Sequence, residues 1–561
     1  MSGSGIPAVP HDLPEVPLSS TDTRANRTGS WRHVRPVIAE KAAPCHKACL
    51  LHAPIPQVMT ALARGDIPAA GASLLNHNPF PAITARVCPH PCQVGCNRGR
   101  YDEPINIRAV ERFLGDALLH RKGAPPDVST GRRVAVVGSG PAGLAAAFYL
   151  RARGHDVTIY EREAEPGGML RDAIPAYRLP AEILDAEIEG LRRMGVVFRC
   201  GVEIGSDMPL ADLLAAHDVV FAATGAHGER GLGAPGEEHL TRGLEFLRGV
   251  RRGEITSASG TVAVVGGGNV AIDVARTLVR LGARAVVLYR RTRKEMPAIE
   301  EEVEHAIADG VTFEFLTLPV VAERVDGHLR LTLVTMQLGE PDRSGRRRPV
   351  PVPGSEHSFE CDGAIAAIGE VAETKFLPKE VLDEQGWARA DKATGATAEG
   401  WLYLGGDLIT GPATVSEAIA WGRRAALAID RRLRGEPPAA PERLLPTVSI
   451  KGINLDYFRR APRTVQPALP VETRRLTFEE EIGGIDLVQA MEEAARCFVC
   501  GTCTVCANCW AFCPDAAIEL GAEDAIPRVT LDYCKGCGIC VVECPRGIIA
   551  LVDEAKVEVR A

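Results

Sequence analysis

Cys503, Cys506, Cys509 and Cys513 form a C-x2-C-x2-C-x3-C string closed by Pro514, and the same string returns as Cys534, Cys537, Cys540, Cys544 and Pro545. Cysteine pairs at this spacing bind zinc as well as iron, but a zinc ion takes four ligands and has no use for a doubled string of eight. Two 4Fe-4S cubes use it fully, because a tight loop supplies three corners of a cube and the fourth thiolate comes from the other repeat. The expected sets are Cys503, Cys506 and Cys509 with Cys544, and Cys534, Cys537 and Cys540 with Cys513. Such a module carries one electron at a time.

Two glycine turns carry a different chemistry. VAVVGSGPAGLAAAFYL places Gly138, Ser139, Gly140, Pro141, Ala142 and Gly143 after an apolar strand and before an Ala-rich helix. Bare backbone there can approach a pyrophosphate at a helix N-terminus. The next strand, DVTIYE, ends in Glu161, where a carboxylate can hold ribose hydroxyls. TVAVVGGGNVAIDVAR repeats the pattern with Gly266, Gly268 and Ala271, but its second strand ends in Arg290 and Arg291. Guanidiniums pair with the 2′-phosphate that a carboxylate would repel, so NADP is favoured over NAD. Two dinucleotide sites imply a flavin exchanging hydride with a nicotinamide. The cofactor carries that chemistry, so no catalytic side-chain acid or base is expected. Between the sites only Cys200 and Cys361 occur, with no close pair for disulfide chemistry, so electrons must leave through the clusters.

The elements that position these residues span 561 residues, room for several domains at roughly 100 to 200 residues each. Apolar residues make up 46% and charged residues 24%, ordinary globular values. No apolar run reaches the roughly 18 residues needed to span a membrane. With 64 basic and 72 acidic residues the net charge is −8, which gives no general reason to bind nucleic acid or an anionic membrane. Seventeen cysteines at ligand spacings, with no secretory leader before them, point to a reducing cytoplasm and metal sites. The expected class is α/β: a flexible arm (1–30), a helical iron–sulfur domain (31–128), a doubly wound region in which strand, glycine turn and helix recur twice (129–432), a linker (433–490) and a C-terminal α+β ferredoxin-like module (491–561).

In order along the chain, GSGPAG, EPGGMLRDAIPAYRLP, VVFAATGA, VVGGGNVAIDVAR, LYRRTRKEMPA, AIAAIGE and LGGDLITGPATVSEAIAWGRRAA resemble the glutamate synthase small-subunit family of NADPH-linked flavoproteins. The corresponding part of dihydropyrimidine dehydrogenase is similar, and the last 60 or so residues resemble a bacterial two-cluster ferredoxin. The resemblance implies that a doubly wound NADP domain (246–361) is inserted within a doubly wound FAD domain (129–245 and 362–432). It places FAD on Gly138 to Gly143, Glu161, Gly168, Met169, Arg178 and Thr224, with Gly406 and Asp407 at the ribityl and pyrophosphate and Thr414 near the ring. It places NADPH on Gly268, Asn269, Val270, Arg290, Arg291 and Lys294.

The family's N-terminal cysteine group is only partly present here, as Cys45 and Cys49 in APCHKAC and Cys88, Cys92 and Cys96 in RVCPHPCQVGC. Five thiols cannot complete two cubes. The resemblance offers Glu111 of INIRAVERF as a further ligand, and Cys497 and Cys500 of EEAARCFVCG are similar to the family's missing ARC-x2-CG stretch. The expected sets are Cys49, Cys88 and Cys92 with Glu111, and Cys45, Cys96 and Cys497 with Cys500, which makes four 4Fe-4S clusters in all. Cys200 and Cys361 remain as small apolar residues. The function expected is an electron-transfer flavoprotein subunit that exchanges hydride between NADP(H) and FAD. Single electrons then pass through the clusters to or from a partner such as a 2-oxoacid:acceptor oxidoreductase. A glutamate synthase small subunit, an autonomous NADPH:ferredoxin reductase and an assembly subunit with relic cofactor sites are the alternatives.

Overall fold

The computed structural model describes residues 27–120, 125–342, 345–439, 445–521 and 526–556. Two five-stranded parallel sheets form its centre. The first runs Leu402–Leu404, Val219–Ala222, Arg133–Val137, Asp156–Glu161 and Val197–Cys200. Its central strand is apolar at every buried position because both faces are covered. Val134 and Val136 pack against the helices Pro141–Ala152 and Val415–Leu433, while Ala135 and Val137 face Leu213, Leu402 and Leu408. Gly422 permits the close crossing of those two helices, since a Cβ there would lie 2.1 Å from the Ala142 carbonyl oxygen.

The second sheet runs Thr312–Phe315, Arg284–Tyr289, Thr261–Val265, Gly363–Ala366 and Thr241–Arg242. Helices cover one face. The other is covered by an antiparallel sheet that the repeated strand, turn and helix pattern did not predict: Thr317–Val325, His328–Pro341, Arg347–Pro351 and His357–Cys361. Leu329, Leu331 and Leu333 alternate inward onto Ala263 and Val265. Asp326 and Gly327 turn the hairpin with positive φ (49° and 87°), the conformation of a tight two-residue connection.

The cysteine-bearing ends of the chain do not follow the expected linear division. Residues 1–26 of the expected arm lie outside the described residues. Thr28–Trp31 is a single 3-10 turn, in which the Gly29 N–H donates to the Asp532 carbonyl (2.9 Å). Val34–Ile38 then pairs antiparallel with Ile549–Asp553, so a strand from the start of the expected helical domain completes the C-terminal module. Conversely, the helix Leu487–Ala495 packs with Ile55–Ala63, and Ala490, Ala494, Phe498 and Cys500 share a core with Met59, Leu62 and Val110. No helix among the described residues is long and apolar enough to cross a membrane.

Candidate redox site

The first glycine turn opens a cavity at the carboxyl edge of the first sheet. Gly138 takes φ +97°, and a Cβ on Gly143 would lie 2.0 Å from the Gly138 carbonyl oxygen, so Gly143 brings helix against strand. A Cβ on Gly140 would meet nothing within 4 Å. Glu161 braces the turn: its Oε2 accepts from the Ser139 N–H (2.9 Å) and hydroxyl (2.5 Å), which leaves lone pairs for further donors. The cavity is lined by Gly138 to Ala142, Glu161, Gly168, Met169, Thr224, Gly406, Asp407 and Thr414, and from the second sheet's helix by Asn269 and Val270. Gly143 and Ala271 stand behind the two turns as packing residues. Gly266 makes the second turn, where a Cβ would lie 2.1 Å from the Ala367 carbonyl oxygen.

The polar groups of this cavity have the character of a cofactor site. Thr224 Oγ1, Asp407 Oδ1 and His227 Nδ1 are buried without a hydrogen-bond partner among the described residues, at a cost that a bound polar ligand would remove. Burial pushes the Asp407 carboxyl up to about 7 and holds the His227 imidazole down to about 4. A flavin dinucleotide fits this set: open backbone at the turn, a carboxylate for ribose and unpaired acceptors along the floor. Nothing in the sequence pattern around His227 marks it for this cavity.

Two residues of the expected cofactor sites spend their charge elsewhere. Arg178 borders the cavity, but its Nη1 donates to both carboxylate oxygens of Asp273 (2.8 Å each) and its Nε lies 3.1 Å from Glu302. Arg291 is buried, with Nε on the Arg347 carbonyl (2.8 Å) and Nη2 on Asp342 (2.9 Å). Arg290 and Lys294 remain exposed beside the second turn, and Gly268 opens into free space. Successive residues at a strand end point to opposite sides, so an Arg–Arg pair divides into one inward and one outward charge.

A separate cavity gathers Cys49, Cys88, Cys92 and Glu111, with Asn78, Thr84, His90 and Ser416. Proline at the first turn starts each short helix that supplies the thiols (Pro44, Pro81 and Pro91). Cys49 and Cys88 sit just past the ends of two of them, and Cys92 lies within the third. Glu111 Oε1 accepts from Asn78 (2.7 Å) and Thr84 (2.5 Å), while Oε2 lies 3.5 Å from His90. Burial, followed by the Glu111 charge, pushes the Cys88 thiol up to about 12. A bound metal would deprotonate such a thiol outright.

Cys45, Cys96, Cys497 and Cys500 lie within electrostatic reach of one another, and Cys92 is near them too. The Asn97 amide lies 3.6 Å from Cys500 Sγ and donates to the Val448 carbonyl at 3.1 Å. In the C-terminal module one cavity is lined by Cys503, Cys506, Cys509 and Cys544. Cys513 lies near Cys534, Cys537 and Cys540. Among the described residues the one set of three or more ligand atoms mutually within 4.8 Å is Glu302, His305 and Glu481, whose carboxylates are held by arginines. The thiol sets are therefore wider than a tetrahedral zinc, whose sulfurs stand about 3.8 Å apart at bond lengths of about 2.3 Å. Cys361 is buried and Cys200 half-buried, apart from these sets.

With this geometry in view, the chain belongs to the pyridine nucleotide-disulphide oxidoreductase family, whose model matches residues 132–422. Residues 35–123 match dihydropyrimidine dehydrogenase domain II with its 4Fe-4S cluster, and residues 527–550 match a 4Fe-4S binding domain. It is an NAD(P)H-dependent FAD and iron–sulfur oxidoreductase related to the glutamate synthase small chain. It is 38% identical to the NADP(+)-dependent formate dehydrogenase subunit beta of Moorella thermoacetica over 497 residues, which cover 82% of this chain and 70% of the relative. Against the NADPH-Fe(3+) oxidoreductase subunit beta of Geobacter sulfurreducens the identity is 36% over 515 residues, 83% of this chain and 76% of the relative. The Escherichia coli glutamate synthase [NADPH] small chain is 34% identical over 411 residues, 68% of this chain and 87% of the relative.

Proposed function

We propose that the chain is the nucleotide-side subunit of a larger redox complex, taking hydride from NADPH at FAD and delivering single electrons through four 4Fe-4S clusters to a separate subunit. The observation that carries this reading is the continuous succession of sites. Val87 and Val415 line the first cavity, and their chain neighbours Cys88 and Ser416 line the Cys49 cavity, so the same two segments border both. Cys92 in turn lies near Cys45 of the next set. The third set follows three residues beyond Cys500, and Cys509 lies close to Cys540 of the fourth. Cys506 and Cys537 of the last two sets are exposed.

In this reading Gly138 to Ala142 and Glu161 hold the FAD adenosine and pyrophosphate, and Asp407 and Thr224 accept from its hydroxyls. Met169 and Thr414 stand near the ring. Asn269 and Val270 seat the nicotinamide nucleotide, and Arg290 with Lys294 faces its 2′-phosphate. The bound flavin supplies the step between two-electron hydride and single electrons. Glu111 completes the first cube, and Cys497 with Cys500 the second. Two relatives are named as beta subunits, which supports a separate partner polypeptide carrying the terminal substrate site. That partner is a 2-oxoacid:acceptor oxidoreductase or the formate-linked or Fe(3+)-linked counterpart of the named relatives, and the co-purifying polypeptide identifies it.

The test is anaerobic bleaching of the flavin by NADPH in the wild type and in Cys537→Ala. The variant should bleach as the wild type does while electron delivery to the co-purified partner is lost. Undiminished delivery would overturn the proposed exit, and failure of NADPH to bleach the wild-type flavin would overturn the proposed entry.

A further inference from the structure

Arg546 occupies the junction between two of these thiol sets. It lines the cavity of Cys503, Cys506, Cys509 and Cys544, and its side chain reaches the Phe498 carbonyl, which lies in the chain between Cys497 and Cys500. Nη1 donates to the Phe498 carbonyl (2.5 Å), Nε donates to the Thr504 hydroxyl (3.1 Å), and the group stands 5.4 Å from the centre of the Phe458 ring. Among the described residues it has no carboxylate ion-pair partner. That sets it apart from the other arginines of this region, since Arg496 pairs with Glu493 and Asp102, and Arg98 with Asp102. A half-buried cation that lines the cavity of one thiol set and is hydrogen-bonded into the loop of another is placed to act on both.

We propose that Arg546 is a positioning charge that raises the reduction potentials of the two clusters it separates and so favours electron residence at this junction. The inference rests on the assignment of Cys45, Cys96, Cys497 and Cys500 to one cube and of Cys503, Cys506, Cys509 and Cys544 to the next. On reduction each cube gains one electron, drawn from NADPH through the flavin, and its net charge falls by one with no proton required. A fixed positive charge nearby stabilises the reduced form more than the oxidised one, and cluster potentials respond to net local charge. The competing account is mechanical: Arg546 clips the loop 498–504 through its side-chain hydrogen bonds and through its carbonyl, which accepts from the Gly501 N–H (2.8 Å).

Potentiometric titration followed by electron paramagnetic resonance, on the full-length protein with iron content assayed in parallel, separates these accounts. Arg546→Gln removes the charge and keeps hydrogen-bonding capacity. The one-electron reduction constants of two clusters should fall about tenfold, which for a one-electron couple is about 59 mV, with the other clusters unmoved. Arg546→Lys should restore most of the shift. Unchanged potentials in an iron-replete Arg546→Gln protein, an equal fall in Arg546→Lys, or loss of a cluster from Arg546→Gln would each overturn the proposal. Wild-type protein lacking either of the two clusters would instead overturn the cluster assignment beneath it.

Discussion

Glu480 and Glu481 are neighbours in the chain, yet their carboxylates belong to different halves of the molecule. Glu480 accepts from Arg86 and Arg112, on the helices Pro81–Val87 and Ile107–Leu118, at 2.8 Å each. Glu481 accepts from Arg276 and Arg280 on the helix behind the second glycine turn, and its N–H donates to the Tyr177 carbonyl beside the first cavity (3.1 Å). The expected linker is thereby a staple across three parts of the fold. Around Glu481 the buried set of Arg178, Arg276, Arg280 and Arg474 is matched in number by Asp273, Glu302, Asp309 and Glu481.

Breaking this set at Glu481 leaves buried guanidiniums uncompensated, so Glu481→Gln should destabilise the protein by about 3 to 5 kcal/mol, read as a fall in Tm. Glu480→Gln, at a more accessible pair, should cost less. Burial opposes ionisation of Glu481, but His305, 3.4 Å away, and the Arg276 charge bring it down to about 2 from 4.5. A depressed carboxyl contributes stability above its unfolded value that is lost as pH falls. Wild-type Tm should therefore decline from pH 4.5 towards 2 more steeply than that of Glu481→Gln. Equal slopes would remove Glu481 from the account.

NADPH selectivity should rest on Arg290. Losing a charge-assisted pair costs about 1.5 to 3 kcal/mol, so Arg290→Ala should weaken NADPH about tenfold or more while leaving NADH nearly unchanged, measured by flavin reduction. Arg291→Ala, which loses the Asp342 pair instead, should lower stability without discriminating between the nucleotides. A wild type that uses both nucleotides equally well would refute the assignment.

The Asp407 carboxyl sets a pH dependence of the opposite sign. Its folded value of about 7, against 3.8, means that flavin-free protein loses stability as pH rises through that window. Flavin-free Asp407→Asn should melt higher than wild type at pH 8, with the gap narrowing towards pH 4, yet bind FAD more weakly. A variant that melts no higher at pH 8 would show that Asp407 is ionised at no cost.

Cys497→Ala with Cys500→Ala should remove about four irons, because two remaining thiolates hold a cube poorly. Full wild-type iron content in the double variant would disprove the shared set.

What could be read from the residues was chemistry confined to short spacings. The doubled cysteine string and the two glycine turns each close a site largely within one loop, so spacing alone defines them. The ARC-x2-CG likeness singled out Cys497 and Cys500, two thiols within electrostatic reach of Cys45 and Cys96. Asp273, Glu480 and Glu481 could not be recognised, since an acid on a helix or in a Pro-rich stretch looks like a solvated face until its partner folds over it. Val34–Ile38 carried Pro36 and no neighbouring strand to announce its pairing with Ile549–Asp553, although Pro is tolerated at a sheet edge. The antiparallel sheet did leave a signal in HLRLTLVT, whose alternation follows the Asp326–Gly327 turn.

The contact of Asn97 with Cys500 spans 403 positions, and that separation has a consequence during synthesis. At about 5 to 20 residues per second, the ribosome needs roughly 20 to 80 s between delivering Cys96 and delivering Cys497. Throughout that interval Cys45 and Cys96 are two thiols without the other half of their set. Metal offered to the nascent chain would find half a ligand shell, open to oxidation and to the wrong ion. In the proposed ligand set, maturation of the centre is thus tied to synthesis past Cys500, and a chain interrupted before residue 497 cannot present that set at all.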